Sequence, residues 1–230
     1  MYNNIIIIPY RNRETHLEYF VKHSTPLIEK YLPNTKIVVL EQNEGKLFNR
    51  GMLLNVGFKE YQNQTRYFIT HDIDINPTEK SILEVYNKKN NINQIIGILL
   101  SPCKTLAPII KIHDSDVKKI NGFPNNIWGW GTEDKALRNR AEYYNLNINT
   151  VFINDDKNRK DDYFNCFDDV NDRVRINEGK NYKTHYSLFK TLSNAEKEKM
   201  IMSSGLNNLE YSILERNMIH NIVELIKVDI

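Results

Sequence analysis

Two short segments concentrate groups that do chemistry. THDIDINP, residues 70–77, sets two carboxylates two positions apart behind an apolar run, and NNIWGWGTEDK, residues 125–135, sets Glu133 and Asp134 behind two tryptophans and two glycines. On an extended strand, side chains at i and i+2 share a face, so Asp72 and Asp74 are expected to project together while Ile73 turns away. Paired carboxylates are hard oxygen donors suited to Mg2+ or Mn2+, ions that commonly bridge to phosphate oxygens. A polar strand end is the competing reading. Thr132 has the residue type of a helix N-cap, which would place Glu133 and Asp134 in a first turn where the helix dipole favours anions. Glycines on both sides of Trp130 leave its backbone free, so the indole is expected to swing over a ligand, its face suited to the C–H surface of a sugar. A packed loop tryptophan is the alternative. Arg11 and Arg13 in PYRNRE, and Arg50 in FNR, add planar guanidinium groups that suit phosphate or carboxylate, although each taken singly also reads as a solvated surface residue.

These groups need a frame. Residues 5–8, four consecutive isoleucines, read as a strand buried on both faces, the pattern of a central parallel strand. Helical spacing over residues 14–31 (Leu17, Phe20, Val21, Leu27, Ile28) carries Pro26 as a kink or restart. Residues 36–40 predict a second strand, 48–61 a helix bearing Met52, Leu53, Val56 and Phe58, and 67–74 a third strand. Two successive strand–helix–strand units predict right-handed crossovers and a doubly wound α/β sheet, whose ligands bind beyond the carboxyl ends of the strands. Arg11, Arg13, Asp72 and Asp74 fall at such ends. Further along, residues 77–86 predict a helix, 94–100 a strand, 114–120 a short helix, 132–144 an amphipathic helix and 149–153 a strand. Residues 154–183, dense in Asp, Asn, Lys and Arg, read as a long exposed loop or insertion in a single domain spanning residues 1–230.

Composition narrows the function. The 230 residues suffice for one core that buries roughly 70% of the unfolded chain's surface. With 31 basic and 29 acidic residues interspersed, no strong basic field points to nucleic acid. Cys103 and Cys166 lack the spacing of a thiolate zinc site or a disulfide framework, and a reducing compartment fits. No apolar run approaches the roughly 20 residues of a membrane span. A cytoplasmic location is therefore expected, at the inner face of a membrane where a lipid-linked acceptor requires it.

Five segments in order, IIIIPYRNRETHLEYF, FNRGMLLNVGF, HDIDINP, INGFPNNIWGWGTED and SSGLNNLEYSILE, make the chain similar to the β-1,4-galactosyltransferase family almost end to end. The resemblance implies a GT-A fold and an inverting, metal-dependent transfer from a nucleotide sugar. It implies that Pro9, Arg11 and Arg13 contact the donor diphosphate and that Phe48 and Arg50 lie beside the uracil and ribose. Asp72 and Asp74 match the family's DxD-type motif, with Asp74 the direct metal ligand. Trp130 matches a mobile tryptophan that closes over the donor, Asp134 the catalytic base, and Glu133 a residue of the sugar pocket. The donor would be UDP-galactose or UDP-N-acetylgalactosamine, the acceptor a glycan or lipid-linked glycan, and the cofactor Mn2+, with Mg2+ as the alternative.

Departures from the family bear on metal and specificity. Its metal-binding Met-x-x-His has a counterpart only in His185, with Tyr182 in place of the methionine; His185 is the candidate second protein ligand, and loss of the thioether relaxes the preference for manganese. A family tyrosine that restricts the donor to galactose falls by spacing on Thr105, which leaves room for an N-acetyl group. Lys135 and Ala136 stand where the family continues with aspartates that hold N-acetylglucosamine. These changes keep a second class of function open, a catalytically silent UDP-sugar or carbohydrate-binding module of the same fold. A phosphatase or nucleotidyltransferase would need more carboxylates around Asp72 and Asp74.

Overall fold

The computed structural model describes residues 1–99, 106, 108–153, 163–166 and 176–230. Strand β1 (Tyr2–Tyr10) lies in the middle of an eight-stranded sheet, parallel to β2 (Thr35–Gln42) on one side and to β3 (Thr65–Thr70) on the other. Its four isoleucines are fully buried, and the two-residue period of a strand divides them between the faces. Ile5 and Ile7 join the core on one face with Val38 and Leu40 of β2, whereas Ile6 and Ile8 join the other with Ile37 and Val39. Each such side chain contributes about 1.5–3 kcal/mol by leaving water.

Helix α1 (Glu14–Tyr19), a π-helical turn (Phe20–Ser24) and α2 (Thr25–Tyr31) follow β1. Pro26 lacks an N–H, and the chain responds by bulging one turn earlier, where the Thr25 N–H reaches back five residues to the Phe20 carbonyl. The expected break is thus a continuous helix with one wide turn. Helix α3 (Arg50–Tyr61) packs on β1, β2 and β3 so closely that a Cβ on Gly57 would lie 2.7 Å from Ile7 Cγ2.

The third strand is shorter than its sequence pattern predicts. It ends at Thr70; His71 N–H makes a last bond to the Ile7 carbonyl, and the chain then turns, with Ile75 N–H bonded to the Asp72 carbonyl at 3.2 Å. Asp72 and Asp74 therefore sit in a turn rather than on one face of a strand. The turn leads into β4 (Ile75–Pro77), which leaves the main sheet to pair with β8 (Phe164–Cys166). Next come α4 (Glu79–Ser81), capped by the Thr78 side chain, a π-helical turn (Ile82–Tyr86), β5 (Gln94–Leu99), β6 (Ile109–His113), α5 (Asp114–Lys119), α6 (Glu133–Tyr143) and β7 (Asn147–Phe152). With β9 (Ser212–His220) and β10 (Val223–Asp229) from the end of the chain, the sheet order is β7-β5-β6-β3-β1-β2-β10-β9. Antiparallel β6 enters between β3 and β5, so the sheet is mixed while its centre stays parallel.

Of residues 154–183, read from sequence as an exposed loop, the structure describes two ordered pieces. One is β8, with Phe164 fully buried; the other opens α7 (Glu178–Asn181) and the π-helical turn Tyr182–Ser187, continued by α8 (Leu188–Thr191) and α9 (Asn194–Met202). The chain closes with β9 (Ser212–His220) antiparallel to β10 (Val223–Asp229), which pairs parallel with β2. Strand β9 is the exposed edge of the sheet, with Ile213, Leu214, Met218 and Ile219 open to solvent. No helix among the described residues is long and apolar enough to cross a membrane.

A helical glycine replaced by alanine ordinarily gains about 0.8–1 kcal/mol, but overpacking against Ile7 costs typically 1–3 kcal/mol. Gly57→Ala is therefore expected to destabilise the protein by up to about 2 kcal/mol in urea unfolding, instead of stabilising it. The loss should shrink when the same change is made beside Ile7→Ala.

Candidate active site

Helix α3 begins at the site, and its first turn is built to carry weight. Asn49 caps it by accepting the Met52 N–H at 2.9 Å, while its own N–H donates to Gln42 Oε1 at 2.8 Å and its amide donates to the Asn125 carbonyl at 2.7 Å. One turn on, fully buried Asn55 grips the same downstream segment: its amide donates to the Phe123 carbonyl and Asn125 Oδ1, and its Oδ1 accepts the Phe123 N–H. The stretch that leads to Glu133 and Asp134 is thereby fastened to the helix that carries Arg50.

Arg50 is the centre of the cluster. Its Nε donates to Asp72 Oδ1 at 2.8 Å, with Nη2 at the same distance from that oxygen, and its Nη1 donates to Asp134 Oδ1 at 3.0 Å and lies 3.6 Å from Glu133 Oε1. The four side chains are mostly withdrawn from water, Arg50 being 13% exposed and Glu133 10%. Burial by itself would lower the Arg50 pKa, but Asp72, Asp134 and Glu133 outweigh it and raise it. One guanidinium cannot neutralise three carboxylates. Burial and then the neighbouring Glu133 push Asp134 well above the usual carboxylate range, against the pull of Arg50. Burial raises Glu133 likewise. A carboxylate so placed binds a proton more strongly than a free one, the property a general base requires.

The turn bearing Asp72 has its own support. His71, fully buried, places Nδ1 2.8 Å from the Asp72 carbonyl and Nε2 2.5 Å from the Tyr86 hydroxyl. The carbonyl requires a donor at Nδ1, so Nε2 accepts from the tyrosine, and burial lowers the pKa of the neutral ring to about 4. Asp74 lies half-buried in the same turn.

On the other wall, the Arg11 guanidinium stands 5.3 Å over the Phe48 ring and bonds to the Lys46 carbonyl at 2.8 Å, so the PYRNR and FNR segments meet. Pro9 is buried near the end of β1, and Arg13, half-buried, immediately precedes α1. Gly129 N–H bonds to the Phe48 carbonyl and Trp130 N–H to the Ile176 carbonyl, both at 2.9 Å. Gly129 has φ +86°, and a Cβ there would stand 2.4 Å from the Ile176 oxygen. The glycines on both sides of Trp130 adopt left-handed backbone in this structure, Gly131 at φ +83°, and form a strap against Ile176.

Thr132 holds the predicted N-cap position of α6, but not through its side chain. Its φ is +86°, its side chain makes no capping bond, and it contributes only a carbonyl, which accepts the Ala136 N–H. A β-branched residue in this region is strained, at a cost on the order of 1–3 kcal/mol, and the strain sits directly before Glu133.

His185 lies elsewhere. It lines a small cavity of about 30 Å3 with Ala136, Arg140 and Phe189, on a flank of α6 away from the one that carries Asp134, and burial followed by the nearby Arg140 lowers its pKa. Among the described residues no three His, Cys, Asp or Glu side chains gather as a cation-ligand set. Thr105 lies outside the described residues.

Sequence reasoning missed Asn55, His71 and Arg140. Arg140 is buried and donates to the Asn121, Gly122 and Ser204 carbonyls. Asn121 in turn donates to the Ile201 carbonyl and Asn207. These bonds knit GFPNN to SSGLNN behind α6. Arginine and asparagine within otherwise apolar stretches were the available signal.

Residues 1–87 match the N-terminal region of glycosyl transferase group 7, and residues 84–161 match the N-terminal domain of galactosyltransferase. The chain is 34% identical to human β-1,4-galactosyltransferase 4 over 151 residues, 62% of this chain and 43% of the relative. It is 30% identical to bovine β-1,4-galactosyltransferase 1 over 216 residues, 91% of this chain and 50% of the relative. The chain thus spans about half the length of the curated relatives it matches. In structure, the catalytic domain of Drosophila β-1,4-galactosyltransferase 7 with xylobiose superposes with a TM-score of 0.78 at 24% identity, covering 100% of this chain and 94% of that one. A mutant of the same enzyme, solved with manganese, UDP-Gal and xylobiose, gives a TM-score of 0.75 at 22% identity, again covering 100% and 94%. These likenesses establish the GT-A fold.

The charge imbalance around Arg50 has a measurable consequence. Because Glu133 and Asp134 have folded pKa values above their unfolded ones, they favour the folded state below about pH 4 and lose that contribution as pH rises. Removing the guanidinium with Arg50→Gln raises them further. The variant should lose about 3–5 kcal/mol at pH 8 and distinctly less at pH 5, measured by urea unfolding. Adding Asp134→Asn should recover part of the loss at pH 8. An equal loss at both pH values would mean that Arg50 supports the fold by packing rather than by charge.

Proposed function

This chain belongs to glycosyl transferase group 7, the family of the β-1,4-galactosyltransferases, and from that premise we propose that it transfers galactose or N-acetylgalactosamine, with inversion, from a UDP-sugar to a glycan hydroxyl. The observation that carries the proposal is the convergence of three family segments on one guanidinium: Arg50 from FNR, Asp72 from HDID and Asp134 from TED. Nothing in the folding of a non-catalytic module requires three carboxylates, two of them largely withdrawn from water, to share one counter-charge, and such an arrangement disfavours the folded state.

In this reading Asp134 is the general base. An acceptor hydroxyl is a poor nucleophile until a carboxylate begins to take its proton, an effect of about 10²- to 10⁴-fold. The raised basicity of Asp134, set by burial and Glu133, suits that task, and Glu133 lines the sugar pocket beside it. Arg50 fixes the direction of the Asp134 carboxylate and holds the Asp72 turn in place. Arg11, stacked on Phe48, faces the donor diphosphate and nucleoside, with Arg13 and Pro9 forming the rest of that wall. Trp130, in the strap between Phe48 and Ile176, covers the donor.

The donor set fits a hard divalent ion of the kind held by one or two carboxylates together with substrate phosphates. Asp74, outside the Arg50 cluster, would hold it with the donor diphosphate, and the ion would supply positive charge to the departing UDP. Manganese, present in the solved Drosophila relative with UDP-Gal, is the first ion to test, with magnesium beside it. His185 is left out of this set because its ring lies in the cavity with Arg140.

Hydrolysis of UDP-galactose and UDP-N-acetylgalactosamine, assayed with Mn2+, with Mg2+ and after chelation, tests the function without an acceptor. Turnover that depends on the ion and falls in Asp74→Ala is expected. Asp134→Asn should lower kcat for transfer by about 10²- to 10⁴-fold while the KM for the UDP-sugar changes far less. Tight UDP binding without turnover across donors and acceptors would instead favour a silent binding module.

A further inference from the structure

Beside Asp134 the surface changes sign and chemistry. Lys135, the next residue on α6, places its Nζ 5.0 Å from the centre of the Tyr182 ring and 5.8 Å from that of Tyr186. The two rings lie 5.1 Å apart at 46°, and Lys190 closes the far side, with Nζ 2.8 Å from the Tyr186 hydroxyl. Tyr182 is 41% exposed. The result is an open aromatic face edged by two ammonium groups.

Its position is set by the active site. Asn177 and Asn181 both donate to the Trp128 carbonyl, at 3.3 and 3.2 Å, which ties the start of the Tyr182 helix to the strap holding Trp130. Asn139 of α6 donates to the Tyr186 carbonyl at 3.5 Å. Consecutive helical side chains diverge by about 100°, so Asp134 turns inward to Arg50 while Lys135 turns outward to the tyrosines. Being consecutive in the chain, the two side chains leave neighbouring points at the start of α6.

Among the described residues no carboxylate pairs with Lys135; Glu133 and Asp134 face Arg50, and Glu142 on the same helix is bonded by Arg138 at 2.8 Å. A cation over tyrosine faces near the surface is held too weakly to bar an incoming anion. Aromatic rings suit the C–H face of a sugar ring, and the ammonium suits an anionic substituent on it.

We infer that the face formed by Lys135, Tyr182 and Tyr186 selects an acceptor saccharide that carries an anionic substituent, a carboxylate or a phosphate, close to the hydroxyl that receives the transferred sugar. The inference rests on the glycosyltransferase reading above and names its acceptor class. Lys135 pairs with the anion, Tyr182 stacks on the ring, and Lys190 holds Tyr186 in place.

The test offers UDP-galactose with three acceptors, methyl glucuronide, glucose 6-phosphate and methyl glucoside, and reads kcat/KM for each. At least one anionic acceptor should exceed the neutral one by about tenfold, the value of one charge-assisted contact, and the one that does identifies the anion as carboxylate or phosphate. In Lys135→Glu the anionic-to-neutral ratio should fall to about one or below, and in Lys135→Gln to an intermediate value. The ratio is internal to each variant, so partial loss of folding does not mimic the effect. Equal use of all three acceptors by the wild type, or a ratio indifferent to Lys135, would overturn the inference. Donor hydrolysis in the same reactions, run in parallel with UDP-N-acetylgalactosamine, reads the underlying function: hydrolysis without charge preference removes only the acidic acceptor, and no hydrolysis of either donor removes both.

Discussion

One guanidinium holding three carboxylates is the constraint around which the rest of the site is arranged. Arg50 reaches from the first turn of α3 to a turn after β3 and to the first turn of α6. Without a cation the carboxylates would repel one another in a poorly hydrated site, and with only one they remain short of neutral. The deficit is useful, because it leaves the site a proton acceptor and receptive to further positive charge. A fully balanced cluster would be more stable and chemically idle, the usual opposition between stability and activity.

That tension needs firm backing, and polar residues deep in the structure provide it. Asn55 ties α3 to the segment before α6, His71 fixes the Asp72 carbonyl through Tyr86, and Arg140 binds three carbonyls behind α6. Each spends its hydrogen-bonding capacity on backbone groups that secondary structure leaves unpaired. The charged groups in front can then hold their positions without relaxing away from one another.

Much of the frame was readable in the residues themselves. Four isoleucines announced a strand buried on both faces, and the apolar spacing of residues 48–61 announced the helix above it, which begins at Arg50, because burial pattern and local period agree there. The acidic start of α6 was also legible. The routing of the site was less so. An Asp-x-Asp pattern looks the same on a strand and in a turn, and only the pairing of β4 with β8 rather than with the main sheet decides between them. Nor does sequence distance reveal that Arg50 meets Asp134, which lies 84 positions away. Arg50 read as a nucleotide contact; its pairing to the carboxylates is a tertiary fact. Strand β6 was missed because five residues between segments of weak pattern give little signal, and the left-handed Thr132 contradicts the cap its side chain suggests.

The edge strand β9 carries a consequence for the protein as a material. Its outer backbone groups, flanked by Ile213, Leu214, Met218 and Ile219, form a template on which another strand can grow, and growth there would draw molecules into aggregates as concentration rises. Two irregularities in the β9–β10 register twist that edge, and Arg216 stands at mid-strand bonded to Glu60 and Glu224. A charge held at the centre of an apolar edge acts as a gatekeeper. The ion pairs of Arg216 thus guard solubility at a site remote from the chemistry.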